Sequence, residues 1–502
     1  MTEVRVAPVE AAERGDRPQG VSALARDALI YGSTRVLVKS LAFILVPVYA
    51  HFLAPSAFGV LELVLATIAF VDVLITANMD GVLARFYFEK TEPAWRRQVI
   101  TLYLAIEAAY PALLVGGFIL FAGPLSEGIV GEAGYAALFV IALVDVYLSN
   151  VVDLPLILCR VRRKPVTFAA YTLTRGLVQV VLTVLLVAVW HLGVKGILIA
   201  SLAAVCVAFV VTLREYVRDL TRRIEWKVGR EMVAFAWPGI IGGLAFYGLN
   251  LVDRFFVTHY HGLADNGLYG AAFRFSQVVL VAVFAFRLGW TQWHYSWLHS
   301  GHHERMVARG ANYYFFATGF LTVALAAWIL PVFHLLMPER YWPATPAVAP
   351  LAIAAMAAGA YTIFAVGFNV TKRMRRIPPL TMTAAAIAIG LYFLLIPPFS
   401  FVGAAWATAT AFAGLVVLVW IFSRRLYPVP WDWRRIGLAV GLTAGLALAS
   451  LAADEWLDFE VSLPLRFAIT AAYPLGLVAL GFFPPADLAR IRALRPGRLL
   501  SP

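Results

Sequence analysis

The chain has 502 residues, 61% of them hydrophobic and 14% charged, with a formal net charge of +12. Its mean hydropathy is +0.79, and no soluble core needs so much apolar side chain, so the sequence describes a polytopic membrane protein. The two cysteines, Cys159 and Cys206, sit in or beside apolar runs and argue against a disulfide framework.

Residues 1–26 are polar and mixed in charge, without an apolar core and small-residue cleavage site, and read as a cytoplasmic tail with no cleaved signal. Beyond them, apolar runs mark about fourteen helical spans. They lie at roughly 27–52, 57–78, 96–122, 133–156, 165–190, 195–213, 232–257, 267–296, 309–335, 345–370, 377–398, 400–422, 434–453 and 464–484. Span 1 places Arg35 and Lys39 four residues apart on one helix face, which argues against lipid exposure, and Pro47 as a kink. Span 2 carries Glu62 near one end and Asp72 deeper. Asp80 and Arg85 follow at its far boundary, as snorkelling or capping charges. Glu107 and Asp145 in spans 3 and 4 are candidates for proton handling or for pairing with Arg175 of span 5. Residues 215–231 place Val217, Leu220, Ile224 and Val228 at helical spacing among Arg and Lys, as an amphipathic surface helix or a solvated linker.

The stretch 236–290 joins two spans through the polar turn HYHGLADNG and carries Asp253, Arg254, Arg274 and Arg287. Each charge at membrane depth costs about 2.5–3.5 kcal/mol on insertion scales, so these side chains are expected to face protein or a water-filled cavity. The other basic residues are distributed by topology. Alternate loops hold 24 Lys and Arg against 3 in the intervening ones, which places the rich set and both termini in the cytoplasm. The positive charge therefore tracks membrane orientation, and nucleic acid is not an expected partner. The basic residues left inside spans are Arg35, Lys39, Arg175, Arg254, Arg274 and Arg287, all within the first eight.

The second half echoes the first. FLAPSAFGVLELV aligns with HGLADNGLYGAAF, Gly59 against Gly267, at an offset of 208. GVKGILIASLAA aligns with SFVGAAWATATA, Gly196 against Gly403, at an offset of 207, and RRKPVTF resembles RRIPPLTM. Three echoes in one order indicate two parallel six-span lobes with the site at their interface. The expected division is 27–214, a linker at 215–231, 232–424, two further spans at 425–485 and a cytoplasmic tail at 486–502. No nucleotide-binding, metal-ligating or nucleophile motif occurs in a plausible setting, so no cofactor and no metal are expected.

With LAPSAFGVLELVLATIAFVDVL, NLVDRFFVTHYHGLADNGLYGAAFRF and FVGAAWATATAFAGLVVLVW, the chain resembles the polysaccharide-transporter (Wzx-like) flippases over about 27–485. These belong to the multidrug/oligosaccharidyl-lipid/polysaccharide exporter superfamily. The resemblance implies a bacterial cytoplasmic-membrane protein that moves a polyprenyl-pyrophosphate-linked oligosaccharide to the outer leaflet by alternating access. Its partners would be the bilayer and the polymerase and glycosyltransferases of the same pathway. Arg35, Lys39, Arg254 and Arg274 are then the expected counter-charges for the pyrophosphate, and Arg287 belongs to an inner gate. Tyr31, Asn78, Tyr247, Asn250 and Gln277 are candidate sugar contacts, and Asp72 or Asp253 candidate coupling sites for protons or sodium. Internal pairing of Asp253 with Arg254, Asp72 with Lys39 and Asp145 with Arg175 is the competing assignment. A lipid II flippase and a cation-coupled multidrug exporter are the rival functions within the superfamily, and a membrane glycosyltransferase or polymerase the rival outside it.

Overall fold

The computed structural model describes residues 21–76, 79–222, 224–298, 301–456 and 459–484, and these contain helices and turns without a strand. Its first half comprises α1 (Val21–Phe52), α2 (Pro55–Thr76), α3 (Met79–Tyr87), α4 (Pro93–Leu120), α5 (Ala122–Val130), α6 (Ala136–Val161), α7 (Pro165–Val184) and α8 (Gly193–Arg218). The second comprises α9 (Trp226–Ala236), α10 (Pro238–Asn250), α11 (Asp253–Ser296), α12 (His303–Leu336), α13 (Val348–Phe364), α14 (Val366–Val370), α15 (Ile377–Ser423), α16 (Trp433–Trp456) and α17 (Phe459–Ala479).

Among the described residues, 11 stretches are long and apolar enough to cross a membrane. Two are too long for one crossing, Trp226–Arg287 at 62 residues and Met374–Ser423 at 50, since about 20 residues span a bilayer. Each reverses direction at a residue of positive φ, Gly262 at 87° and Ser400 at 49°. Tyr269 donates a hydrogen bond to Asp253, and the Tyr392 and Thr408 hydroxyls lie 3.1 Å apart. A straight helix would hold either pair about 24 Å apart, so the chain doubles back at both breaks. With the shorter apolar helix Leu463–Ala479, these hairpins account for the roughly fourteen spans expected from hydropathy.

The internal repeat is visible in the backbone. Among the described residues, the non-glycine positions at positive φ are Arg163, His191, Lys372 and Ser400. They form two pairs, 163 with 372 and 191 with 400, each at an offset of 209. Arg163 and Lys372 end their helices alike: the next residue's N–H returns to a carbonyl five residues back, Lys164 to Cys159 at 2.8 Å and Arg373 to Phe368 at 2.9 Å. The stretch 215–231, read as a surface helix or a linker, does not form a separate surface helix in its described residues. Its start completes α8, its end begins α9, and the described residues between are not helical. Asp219 is held by Arg162 at 2.6 Å, and the Thr221 N–H bonds the Thr101 hydroxyl at 3.0 Å. These tertiary bonds draw the chain off the helical path.

The lobes meet most closely where α2 crosses α11. A Cβ on Gly59 would lie 1.9 Å from the Leu263 carbonyl oxygen, and one on Gly267 would lie 1.8 Å from that of Pro55. Residue 263 is 55 plus 208 and residue 267 is 59 plus 208. The contact is therefore reciprocal about a pseudo-two-fold axis, and glycine is what lets the two backbones touch. Asn266 Nδ2 adds a 3.0 Å bond to the Gly59 carbonyl. At the same end, Arg340 donates to the Ala50 and His51 carbonyls of the last turn of α1, both at 2.8 Å, and the Tyr341 hydroxyl bonds Leu53 O at 3.1 Å. Those carbonyls have no partner within their own helix, so the 339–347 segment ties the second lobe to the first.

Gly59→Ala or Gly267→Ala is expected to destabilise the protein by about 1–3 kcal/mol or more through overpacking. Gly117→Ala, whose added Cβ meets nothing within 4 Å, should be neutral or gain up to about 1 kcal/mol. Thermal unfolding of the three variants in detergent checks the contrast.

Candidate functional site

Glu62 lies in the second turn of α2 and is 4% exposed. A carboxylate in that position needs partners, because burying a charge without them costs several kcal/mol. Both partners come from α11. Arg274 donates to Oε1 through Nε at 2.9 Å and Nη2 at 2.6 Å, and Arg254 Nε donates to Oε2 at 3.2 Å. Arg254 also reaches Asp253 Oδ1 at 3.0 Å and the Asn250 carbonyl at 3.0 Å. The second Asp253 oxygen accepts from Tyr269, with the Thr408 hydroxyl at 3.4 Å. Aromatic faces complete the shell: Arg254 lies 4.4 Å from the Phe273 ring centroid and Arg274 5.1 Å from that of Phe58. Two carboxylates and two guanidiniums thus form one neutral network across the lobe interface.

The repeat explains how Glu62 fits there. Its counterpart at an offset of 208 is Gly270, and a Cβ on Gly270 would stand 2.4 Å from Glu62 Cγ. One lobe supplies the carboxylate on the axis and the other supplies the space for it.

The two arginines differ in what else they face. Arg254 is 1% exposed, whereas the Arg274 side chain is 23% exposed. Arg274 borders a chamber of about 170 Å³ within the first lobe, whose walls include Tyr49, Leu61, Asp145, Gln179 and Ser201. It also borders a cleft of about 350 Å³ between α1 and α11, walled by Ser40, Phe43, Val46, Gln277, Val278 and Val281. Ser40, Arg274 and Gln277 are the polar members of that otherwise apolar cleft.

The residues singled out in the sequence separate accordingly. Arg274 and Gln277 meet at the cleft, and Arg254 and Asp253 join Arg274 through Glu62. Arg254 does not line a hydrated gap as expected, because its hydrogen-bonding groups are turned onto Asp253, Glu62 and a carbonyl. Asp253, considered for ion coupling, is committed to Arg254 and Tyr269. Asp72 sits apart, accepting from Thr76 and from Asn150, both at 3.1 Å. Tyr31 packs edge-on against Phe168 and bonds the Cys159 carbonyl, away from the cleft. Tyr247 packs on Phe70, and the Asn250 side chain bonds Phe246 O on its own helix. Arg287 is exposed farther along α11. Arg175 reaches Ser149 at 2.8 Å and Asp153 at 3.9 Å, while Asp145 accepts from Ser201 at 3.1 Å. Asn78 and the side chains of Arg35 and Lys39 lie outside the described residues. The central residue that sequence reasoning passed over is Glu62, which looked like one more acid near a span end. The available signal was its alignment with Gly270.

A sequence model of the family described as "Polysaccharide biosynthesis protein" matches residues 24–287, more than half of the chain. Among curated proteins, none matches the sequence. Among solved structures, the fold is similar to "Lipid II flippase MurJ, inward closed conformation", with a TM-score of 0.63 and 13% identity over 93% of this chain and 99% of that one. It is similar to an inward-facing multidrug resistance MATE family transporter of the MOP superfamily, TM-score 0.63 and 12% identity over 82% of this chain and 99% of that one. A MOP superfamily transporter from Pyrococcus furiosus, described as having a binding pocket of reverse polarity, matches with a TM-score of 0.55 and 12% identity over 85% of this chain and 100% of that one.

Glu62→Gln leaves a buried arginine short of a counter-charge and is expected to cost about 3–5 kcal/mol. Arg274→Gln should cost less, because Glu62 keeps Arg254 and the site retains access to the cleft. Thermal unfolding midpoints should fall in the order wild type, Arg274→Gln, Glu62→Gln; the reverse order of the two variants contradicts this division of roles.

Proposed function

Because the chain belongs to the polysaccharide biosynthesis protein family of the MOP exporter superfamily, we propose that it is a flippase for a polyprenyl-pyrophosphate-linked oligosaccharide. In this reading it sits in the bacterial cytoplasmic membrane and carries the lipid from the inner to the outer leaflet by alternating access, for surface polysaccharide synthesis. The glycosyltransferases and polymerase of the same pathway act before and after it.

The observation that carries the reading is the position of Arg274. Its guanidinium lies at the edge of an apolar cleft yet is held by a carboxylate from the opposite lobe. An acyl chain suits the cleft, and a diphosphate suits the guanidinium. A diphosphate offers Arg274 more charge and more acceptor oxygens than one carboxylate does. Its arrival would exchange for Glu62 at Arg274, and Glu62 would fall back on Arg254 alone. One of the ion pairs holding the lobes together would then be lost on substrate binding. With the basic loops in the cytoplasm, the Glu62 network and the Gly59–Gly267 contact close the outer end, so this exchange opens the pathway outward. Arg35 and Lys39 remain assigned to the same anion from the sequence, and Arg287 to the inner gate. Gln277 is the sugar contact that the cleft supports. Export of organic cations is disfavoured, because both acids of the network are already neutralised by arginine.

Arg274→Gln is expected to reduce export of lipid-linked sugar at least about tenfold, the loss of one charge-assisted contact, with the protein still inserted at normal levels. Surface polysaccharide in a strain depending on this protein provides the readout. Wild-type levels with Arg274→Gln would rule out the phosphate role.

A further inference from the structure

A second basic concavity lies away from the lobe interface. It is a cleft of about 380 Å³ lined by Tyr87, Arg96, Arg97, Arg162, Lys164 and Asp219, with Pro93 and Ile100. The apolar stretches Pro55–Tyr87, Pro93–Leu120, Ala133–Val161 and Pro165–Val189 all begin or end beside it. The cleft is therefore at the depth where a membrane gives way to water.

Loops on the basic side of a membrane protein carry Lys and Arg for topological reasons alone, so charge by itself is not informative. Three features go beyond that. The acid in the cleft wall is already used: Arg162 holds Asp219 at 2.6 Å and lies 4.0 Å from Glu215. Among the described residues, Arg96, Arg97 and Lys164 have no acidic partner within 4.0 Å. Next, the Arg96 Nε is shut off from solvent and has no hydrogen-bond partner, although its guanidinium stacks 4.9 Å from the Tyr87 ring centroid. A buried donor in that condition calls for an acceptor. Finally, α4 and α7 both start at this cleft. Each opens with proline, lacks a side-chain cap bond and has no acid in its first turn; the N-cap of α4 is Glu92, which makes no cap bond, and that of α7 is Lys164. The positive end of α7 therefore adds to the side-chain charge with no acid beside it, whereas Glu92 offsets part of that of α4. The backbone at Arg163 is held at positive φ, and this turn presents Arg162 and Lys164 to one cleft.

We propose that this cleft binds a phosphate-bearing anion, with Arg96, Arg97 and Lys164 as its ligands. At this depth the natural source is the headgroup of an anionic phospholipid. A soluble phosphate compound would offer the same chemistry. The site does not depend on the flippase reading and is separate from Arg274.

The test uses the full chain in detergent, titrated with phosphatidylglycerol or phosphatidylcholine and followed by native mass spectrometry. Inorganic pyrophosphate is titrated in parallel by calorimetry. Arg96→Gln/Lys164→Gln is compared with Arg375→Gln/Arg376→Gln, which removes equal charge from an exposed pair elsewhere. Wild type should prefer phosphatidylglycerol, and the cleft variant should bind it about tenfold more weakly while the control changes less than about twofold. Pyrophosphate binding with the same variant pattern, and no lipid preference, supports the site with a soluble source. Binding of neither probe, or equal losses in both double variants, overturns the proposal. Unchanged unfolding midpoints establish that the cleft variant folds; if it does not, the exposed single change Arg97→Gln is read in the same way, with an expected loss of about threefold or more.

Discussion

One carboxylate, Glu62, organises the junction between the lobes. It is buried, and its two oxygens are divided between two arginines of the other lobe. In a low-dielectric setting such a group is costly alone and rigidly placed once paired. Everything around it conforms to that requirement: Gly270 gives it room, Asp253 balances the second arginine, and the aromatic rings of Phe58 and Phe273 pack against the two guanidiniums. Closure at this end is thus electrostatic at its centre and steric at its rim, where Gly59 and Gly267 bring the backbones together.

The network is also asymmetric in a way that the proposed transport cycle uses. Arg254 is enclosed and behaves as a structural counter-charge. Arg274 makes the stronger bonds to Glu62 and still faces the cleft and the first-lobe chamber. An anion arriving through the cleft therefore meets a cation whose present partner belongs to the opposite lobe. In the proposed reading, competition at this single guanidinium couples occupancy to lobe separation without any covalent chemistry. The contacts of Arg340 and Tyr341 with the end of α1 are neutral hydrogen bonds to carbonyls; they add to closure but respond less directly to a charged ligand.

Much of the architecture was readable from the sequence because membrane insertion and duplication leave periodic marks. Hydropathy locates the spans, and the 208-residue echo makes Gly59 and Gly267 equivalent positions, though their contact is seen only in the fold. The hairpin at HYHGLADNG was visible as a polar break, and its turn falls at Gly262. The site was only partly legible. Arg274 stands out in the sequence as a cation that lipid would not tolerate, but nothing local in α11 distinguishes it from Arg254, whose partners lie on its own turn and on α2. Glu62 was obscure for the same reason: its role depends on a residue 208 positions away being glycine. For 215–231 the sequence leaves helix and linker open, because helical spacing of Val217, Leu220, Ile224 and Val228 carries no information about the bonds from Arg162 and Thr101 that interrupt it.

The most direct test of the central claim measures the distance between α2 and α11 at the closed end. Spin labels at Ser56 and Ala264, both exposed and equivalent in the repeat, would be introduced after replacing Cys159 and Cys206. Pulsed electron resonance should give one short, narrow distance in the unliganded protein. A longer population should appear on adding a polyprenyl diphosphate, and in Glu62→Gln without any ligand. If the distribution is the same in all three samples, the Glu62 network does not hold the lobes together and the account fails.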